Sequence, residues 1–206
     1  MKKQEKAEHI VKELKRLFPE AKMMLNYRNN WELLVAVELS AQCTDKKVNE
    51  ITPALFKKYP TLADYVKAKP AEFEKYVYQS GFYKNKTKNI LAAAKMVSEK
   101  FGGKLPKTME EMLTIPGVAR KTANILLGIA YGVVEGVAVD THVKRLARLW
   151  GLTEESSPEK IEKDLMKLLL KEEWQYFTYR VIEYGRKYCT ARVKNHSTCP
   201  LGRYEK

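Results

Sequence analysis

The sequence predicts an all-α protein, and three observations lead to this fold class. Apolar residues recur at helical spacing along most of the 206 residues. Helix-start signals precede several of these runs. No segment shows sustained two-residue alternation bounded by hairpin turns, which is the pattern that predicts strands. The hydrophobic content of 45% is high enough for a folded core.

The predicted helices follow one another along the chain with short connections. Three of them are indicated by apolar stripes, and Pro53 is expected to kink the second of these three. Later helices are indicated by a capping box at Thr108 and Glu111, by Ser157 followed by Pro158, and by the apolar run 174–184. The three stripes are Ile10, Val11, Leu14, Leu17 and Phe18; Val48, Ile51, Leu55, Phe56 and Tyr59; and Ile90, Leu91, Ala94, Val97 and Phe101.

The charge balance favours a polyanionic partner. The chain has 38 Lys and Arg against 25 Asp and Glu, a formal net charge of +13, and the excess is spread along the chain. A lysine-rich solvated surface is the alternative interpretation. The N-terminus has no apolar signal core, and Asn124, Glu135 and three glycines interrupt the most apolar stretch, 123–139. We therefore expect a soluble intracellular protein, in the cytoplasm or nucleoid, with no membrane partner and no disulfide framework.

Residues 115–127 read IPGVARKTANILL, a Pro-Gly turn that opens into a helix. The turn places Arg120 and Lys121 at the first helical positions, where exposed N–H groups favour an anion over a cation. A bound phosphate would make the two cations favourable there. The hairpin is therefore interpreted as a phosphate-binding element that contacts a nucleic-acid backbone independently of sequence. An ordinary corner between two helices is the alternative.

A second stretch, VAVDTHVKRLARL (137–149), places Asp140, 19 residues after Lys121, before a helical run. Asp140 is a candidate N-cap. The functional alternative makes Lys121 a nucleophile whose neutral amine attacks a sugar carbon, while a nearby carboxylate stabilises the developing positive charge. A partly desolvated lysine near a positive helix terminus and other cations would have its amine form favoured. The spacing alone does not establish that the two side chains meet.

Three segments resemble the endonuclease III family of base-excision DNA glycosylases. LTIPGVARKTANILLGIAYGVVEGVAVDTHVKRLARLWGL (113–152) is similar to the family's helix-hairpin-helix and Gly/Pro-Asp region. LSAQCTDKKVNEITPALF (39–56) and GFYKNKTKNI (81–90) resemble two further stretches, in the same order. The resemblance implies two helical lobes with a DNA-binding cleft between them. Residues 25–132 would form one lobe, with the hairpin at about 108–131, and residues 1–24 with 133–206 the other.

The resemblance also implies roles for single residues. Lys121 matches the family's catalytic lysine and Asp140 its catalytic aspartate, a role that is compatible with capping. Gln42 matches the residue that fills the gap in the duplex when the target nucleotide swings out; a polar residue ending a helix is the alternative. The resemblance and the local positive charge together suggest further DNA-binding positions, which are Tyr83, Lys84, Gly117, Ala119, Arg120, His142, Arg192 and Lys194.

The chain departs from the family pattern in two places. Ala119 stands where many relatives have a second hairpin glycine. Many relatives also bind a four-iron, four-sulfur cluster through four cysteines near the C-terminus, and here Cys189 and Cys199 match only two of these positions. His196 and Glu205 occupy the others, Glu205 in a tail that we expect to fray. We predict no cluster and no metal or other cofactor, with a Cys-His-Cys-Glu zinc site as the alternative.

The resemblance implies a bifunctional DNA glycosylase and abasic-site lyase. It would flip an oxidised pyrimidine out of duplex DNA, cleave the N-glycosidic bond through Lys121 and nick the abasic strand by β-elimination. The expected partner is double-stranded DNA with damaged bases or abasic sites, bound by a monomer. A mismatch-specific glycosylase of the same fold is the alternative, and Lys121 disfavours it. A catalytically silent DNA-binding protein is another, disfavoured because both Lys121 and Asp140 are present.

Overall fold

The computed structural model describes residues 2–193 and 195–205. All regular structure in these residues is helical, which confirms the predicted fold class. None of the helices found there is both long and apolar enough to cross a bilayer. The α-helices of this described part are, in chain order, α1 (Lys3–Leu17), α2 (Asn30–Leu39), α3 (Asp45–Lys58), α4 (Leu62–Lys67), α5 (Pro70–Val77), α6 (Tyr83–Lys100), α7 (Met109–Met112), α8 (Arg120–Tyr131), α9 (Thr141–Leu149), α10 (Pro158–Leu168) and α11 (Trp174–Lys187).

The predicted helix starts are confirmed by their hydrogen bonds. Ser157 caps α10, where its Oγ accepts the N–H of Lys160 at 3.3 Å. Thr108 caps α7, where its Oγ1 accepts the N–H of Glu111 at 3.3 Å. The Thr108 hydroxyl also donates to the Glu111 carboxylate at 2.9 Å, so both residues of the predicted box are engaged. These contacts satisfy N–H groups that a helix start leaves without an internal acceptor.

The chain folds into two compact units. The first, called the hairpin unit here, is Met24–Val133 and contains α2 to α8. The second, called the terminal unit, combines Met1–Met23 with Val134–Lys206 and contains α1 and α9 to α11.

The hairpin unit is built around α2. This helix is buried from Trp31 to Leu39, and α3, α6 and α8 pack against it. A helix that is buried on every side has no polar face toward solvent. Its sequence therefore does not show apolar residues confined to one helical face. The buried length of α2 nevertheless carries two carboxylates, Glu32 and Glu38.

The terminal unit has a core that extends to the end of the chain. Its largest fully buried side chains include Trp150, Phe177 and Tyr184. Leu201 and Tyr204 belong to the same core, and the Leu201 N–H donates to the Tyr184 hydroxyl at 3.0 Å. The expectation of a frayed C-terminal tail is therefore wrong for the residues up to Tyr204. Apolar burial and the hydrogen bond to Tyr184 anchor this part of the chain.

Candidate DNA-binding and catalytic site

The Pro-Gly segment forms a closed turn between α7 and α8. The Val118 N–H donates to the Ile115 carbonyl at 3.0 Å, and both side chains are buried. Gly117 has φ +86°, a left-handed conformation that favours glycine. The turn is thus fixed by burial on either side of the glycine.

Glu38 lies directly beneath this turn. A Cβ atom built on Gly117 would stand 2.6 Å from Oε2 of Glu38, so no side chain fits at residue 117. Glu38 is 7% exposed. Burial raises the pKa of its carboxyl to about 7, while the positive charges of Lys86 and Lys121 act in the opposite direction. The sequence analysis missed this residue, although a single carboxylate in the run LLVAVEL was a visible signal.

Glu38 makes stability depend on pH. Its pKa is raised from 4.5 to about 7 on folding, so its favourable contribution is complete below pH 4.5 and is lost as pH rises to 7. We expect Glu38→Gln to increase the free energy of unfolding, relative to the native chain, by up to about 3 kcal/mol above pH 7 and little near pH 4.5. Urea unfolding at both pH values measures the difference. The exposed Glu99→Gln is the matched control, and a pH-independent effect of Glu38→Gln would contradict the assignment.

Lys121 is the second residue of α8 and is half-buried. The structure confirms that Arg120 and Lys121 occupy the first helical positions. N–H groups in this first turn have no acceptor within the helix and form a positive pole, so a lysine there is electrostatically unfavourable without an anion. The sequence predicted cations and a nearby carboxylate, Asp140, around Lys121, and the structure adds the buried carboxyl of Glu38, close enough for it to interact with Lys121.

Asp140 caps α9, as predicted. Its Oδ1 accepts the Val143 N–H at 2.8 Å, and the side chain is half-buried. The buried run Val137–Val139 leads into it and fixes the start of the helix. Asp140 belongs to the terminal unit and Lys121 to the hairpin unit.

His142 follows Asp140 and packs within the terminal unit. A Cβ atom built on Gly185 of α11 would lie 2.4 Å from Nδ1 of His142. The His142 ring therefore packs where any side chain at residue 185 would clash with it. Burial lowers the pKa of His142, the Asp140 carboxylate raises it, and Arg186 and Arg145 lower it further. These contacts describe a packed, neutral imidazole.

Gln42 and Phe82 share an unusual backbone conformation. Among the described residues they alone combine a side chain other than hydrogen with a positive φ, at 53° and 48°. Both are exposed, Phe82 by 65%. Gln42 lies in the turn after α2 and is not a helix terminus, and Phe82 immediately precedes α6. The sequence analysis did not identify Phe82, although an aromatic residue next to a glycine was a visible signal.

Lys86 holds these two turns together. Its buried Nζ donates to the Leu39 carbonyl at 2.8 Å and to the Ser80 carbonyl at 2.7 Å. Leu39 is three residues before Gln42, and Ser80 is two residues before Phe82. The buried Lys86 ammonium group therefore fixes the backbone of both turns, and with it the positions from which the exposed Gln42 and Phe82 side chains project.

Lys86→Met tests this role. Methionine keeps the apolar stem but leaves two buried carbonyl groups without a donor, so we expect a loss of ~2–5 kcal/mol in the free energy of unfolding. The matched control is Lys88→Met on the exposed side of the same helix. Urea unfolding of both variants measures the effect, and equal losses would show that Lys86 does not hold the turns.

The other predicted DNA-binding positions are distributed as follows. Tyr83 begins α6 and is half-buried, while Lys84 is exposed. Ala119 is the exposed residue that precedes α8. Arg192 is exposed in the C-terminal loop, and Lys194 lies outside the described residues.

The C-terminal loop does not fit a four-iron cluster. Cys189, His196 and Cys199 come together, but they provide only two thiolates and their ligand atoms all lie within 4.8 Å of one another. A cluster of eight atoms needs four ligands spread around it, usually thiolates. The fourth family position is Glu205, whose carboxylate lies on the opposite edge of the His196 ring, 3.9 Å from Nε2. No step of the chemistry below involves a cluster.

Comparison with known proteins places the chain in a family. The sequence-family model of the HhH-GPD superfamily of base excision DNA repair proteins matches residues 35–171 of this chain. Endonuclease III of Synechocystis sp. is 46% identical over 199 residues, covering 97% of this chain and 91% of that protein. Endonuclease III of Bacillus subtilis is 41% identical, covering 90% and 84%.

Solved structures agree with the sequence relatives. A non-covalent endonuclease III–DNA complex matches with a TM-score of 0.94 and 40% identity, covering 100% of this chain and 96% of that one. A trapped endonuclease III–DNA covalent intermediate matches with a TM-score of 0.92 and 40% identity, covering 98% and 94%. A thermostable thymine-DNA glycosylase, at 18% identity and a TM-score of 0.81, shares the fold. The chain belongs to the HhH-GPD superfamily of base excision DNA repair proteins, and its relatives at 33–46% identity are endonuclease III enzymes.

Proposed function

We propose that this protein is a bifunctional DNA glycosylase and abasic-site lyase that removes oxidised pyrimidines from duplex DNA. The observation that carries the proposal is Lys121, a half-buried lysine at the positive pole of α8 in a chain of this superfamily. The positive pole of α8 disfavours a lysine, and the Glu38 carboxyl, which is half-ionised near pH 7, offsets this only in part, so a catalytic role would explain the placement. A trapped covalent complex with DNA in a relative of 40% identity supports the same class of chemistry.

The proposed reaction starts with the neutral amine of Lys121. Its nitrogen attacks C1′ of the damaged nucleotide, and the N-glycosidic bond breaks as the base leaves with the electron pair and takes up a proton. The attacking nitrogen loses one proton, and its lone pair then opens the sugar ring as O4′ takes up a proton. A protonated Schiff base, the iminium, thereby forms between Nζ and C1′. Asp140 contributes a carboxylate that stabilises the positive charge on the sugar and accepts protons.

Strand cleavage follows from the Schiff base. The iminium group makes the C2′ proton acidic, and its removal expels the 3′-phosphate by β-elimination. Water then hydrolyses the imine and restores Lys121. These steps use only the chain's own side chains and water, so the proposal includes no redox or nucleotide cofactor.

Lys121 of the hairpin unit is proposed as the nucleophile and Asp140 of the terminal unit as the assisting carboxylate, and residues of both units are proposed to contact DNA. The backbone N–H groups at Gly117 and Ala119 and the first turn of α8 suit a phosphate, and Arg120 adds positive charge. Lys84, Arg192 and Lys194 are proposed as further phosphate contacts, with Tyr83 and His142 bordering the site.

Gln42 and Phe82 are proposed to enter the duplex where the nucleotide leaves. Both are exposed in backbone conformations that cost free energy, and such strain is commonly found at functional sites. The amide of Gln42 can pair with the base left without a partner, and the Phe82 ring can stack against its neighbours.

A duplex panel tests the substrate assignment. The native chain is incubated with duplexes that contain one oxidised thymine, one T·G mismatch or no lesion, and base release and nicking are scored on denaturing gels. We expect release and nicking only at the oxidised thymine. Release only at the mismatch would favour the mismatch-specific glycosylase, and selective binding without release would favour a silent DNA-binding protein.

A further inference from the structure

Three potential ligand side chains meet in the core of the terminal unit. Nδ1 of His196 lies 3.2 Å from Sγ of Cys189 and 3.9 Å from Sγ of Cys199. All three residues are buried. The sequence separates them by seven and three residues, and the folded loop brings their ligand atoms within 4.8 Å of one another.

These distances suit one metal ion. Zinc binds sulfur at about 2.3 Å and imidazole nitrogen at about 2.0–2.1 Å, so two tetrahedral ligands of these types lie about 3.6 Å apart. The observed separations of 3.2 and 3.9 Å fall on either side of that value. A single ion at the centre of the three atoms would need only small movements of the side chains.

The charges around the trio also suit a dication. Two thiolates would neutralise one Zn²⁺, and the imidazole would remain uncharged, so the buried site would carry no net charge. The Arg145 guanidinium donates to Sγ of Cys189 at 3.4 Å and to the Cys189 carbonyl, so this sulfur already accepts a charged donor.

The orientation of His196 points its ligand nitrogen at the sulfur atoms. Oε1 of Glu205 lies 3.9 Å from Nε2, on the edge of the ring away from both cysteines. A negative charge there favours the proton on Nε2 and leaves the lone pair on Nδ1. Carboxylates commonly fix metal-binding histidines by accepting a hydrogen bond from this N–H, for which the Glu205 side chain must move closer than 3.9 Å.

We propose that the terminal unit binds one zinc ion through Cys189 Sγ, Cys199 Sγ and His196 Nδ1. Water occupies the fourth position, and Glu205 orients the imidazole. An open depression of about 550 Å³, lined in part by Arg145, Val193 and His196, reaches the trio at His196. In the metal-free chain the Cys199 thiol donates to the Tyr188 carbonyl at 3.2 Å, and binding releases both thiol protons to solvent.

Metal content is the direct test. The full chain is purified with zinc present and dialysed, and the metal per chain is measured by mass spectrometry. We expect about one zinc per chain in the native protein and in Cys43→Ser, the matched control in the other unit, and almost none in Cys199→Ser. A native chain that loses its zinc on dialysis, full retention by Cys199→Ser, or about four irons per chain would each overturn the proposal.

Two further measurements remain informative if Cys199→Ser does not fold. Cobalt added to the metal-free native chain should give the absorption of a tetrahedral thiolate site, and its absence would overturn the proposal. Glu205→Gln should bind zinc ~10–100-fold more weakly while the metal-free chain keeps its thermal stability. Unchanged zinc affinity would overturn the role of Glu205.

Discussion

Lys121→Gln is expected to reduce base release and strand cleavage by ~10³-fold or more, because the variant has no amine to attack C1′. Binding to a damaged duplex should remain selective and salt-sensitive, since the hairpin and its backbone N–H groups are unchanged. The free energy of unfolding should change by no more than ~1 kcal/mol, because the repulsion removed from the positive end of α8 is offset by the lost attraction between Lys121 and the Glu38 carboxylate. Single-turnover cleavage, duplex binding and thermal unfolding measure the three quantities.

The control for Lys121→Gln is Lys100→Gln at the exposed end of α6, which removes the same charge far along that helix from Tyr83 and Lys84, the proposed DNA contacts at its start. It should cleave like the native chain. If Lys121→Gln also cleaved at the native rate, Lys121 would not be the nucleophile.

Asp140→Asn is expected to separate the two roles of Asp140. Asparagine caps a helix about as well as aspartate, so α9 should keep the bond to the Val143 N–H and the free energy of unfolding should hardly change. The carboxylate is lost, so base release should fall by ~10²–10⁴-fold. Single-turnover rates and urea unfolding measure the two effects.

Asp140→Ala is the companion variant, because it removes the cap as well as the charge. It should lose about 1 kcal/mol of stability in addition to the activity. If Asp140→Asn were fully active and only Asp140→Ala were impaired, Asp140 would serve as a cap alone.

Sequence periodicity predicted the helices that present one apolar face. The stripes through Ile10, Ile51 and Ile90 correspond to α1, α3 and α6, with these residues buried. The same periodicity did not reveal α2, because a helix that is buried on every side has no polar face to contrast with an apolar one. It also missed α4 and α5, which are too short to establish a period.

The candidate site was predictable where chemistry follows local spacing. Lys121 and Asp140 occupy helix starts, and a helix start can be identified from a few neighbouring residues. Glu38 stood out as a carboxylate in an apolar run, but its role and that of Lys86 were not predictable, because they depend on the close approach of α2, the hairpin turn and α6. The sequence offered Cys189, His196, Cys199 and Glu205 as an alternative zinc site, and the folded loop brings the ligand atoms of the first three within 4.8 Å of one another.

Borohydride trapping tests the central claim most directly. The native chain and Lys121→Gln are each mixed with a duplex that contains one oxidised thymine, and borohydride is added to reduce any Schiff base to a stable amine. We predict a covalent protein–DNA band on a denaturing gel with the native chain and none with Lys121→Gln. No band with the native chain, despite tight and selective binding, or an equal band with both proteins would contradict the Lys121 mechanism.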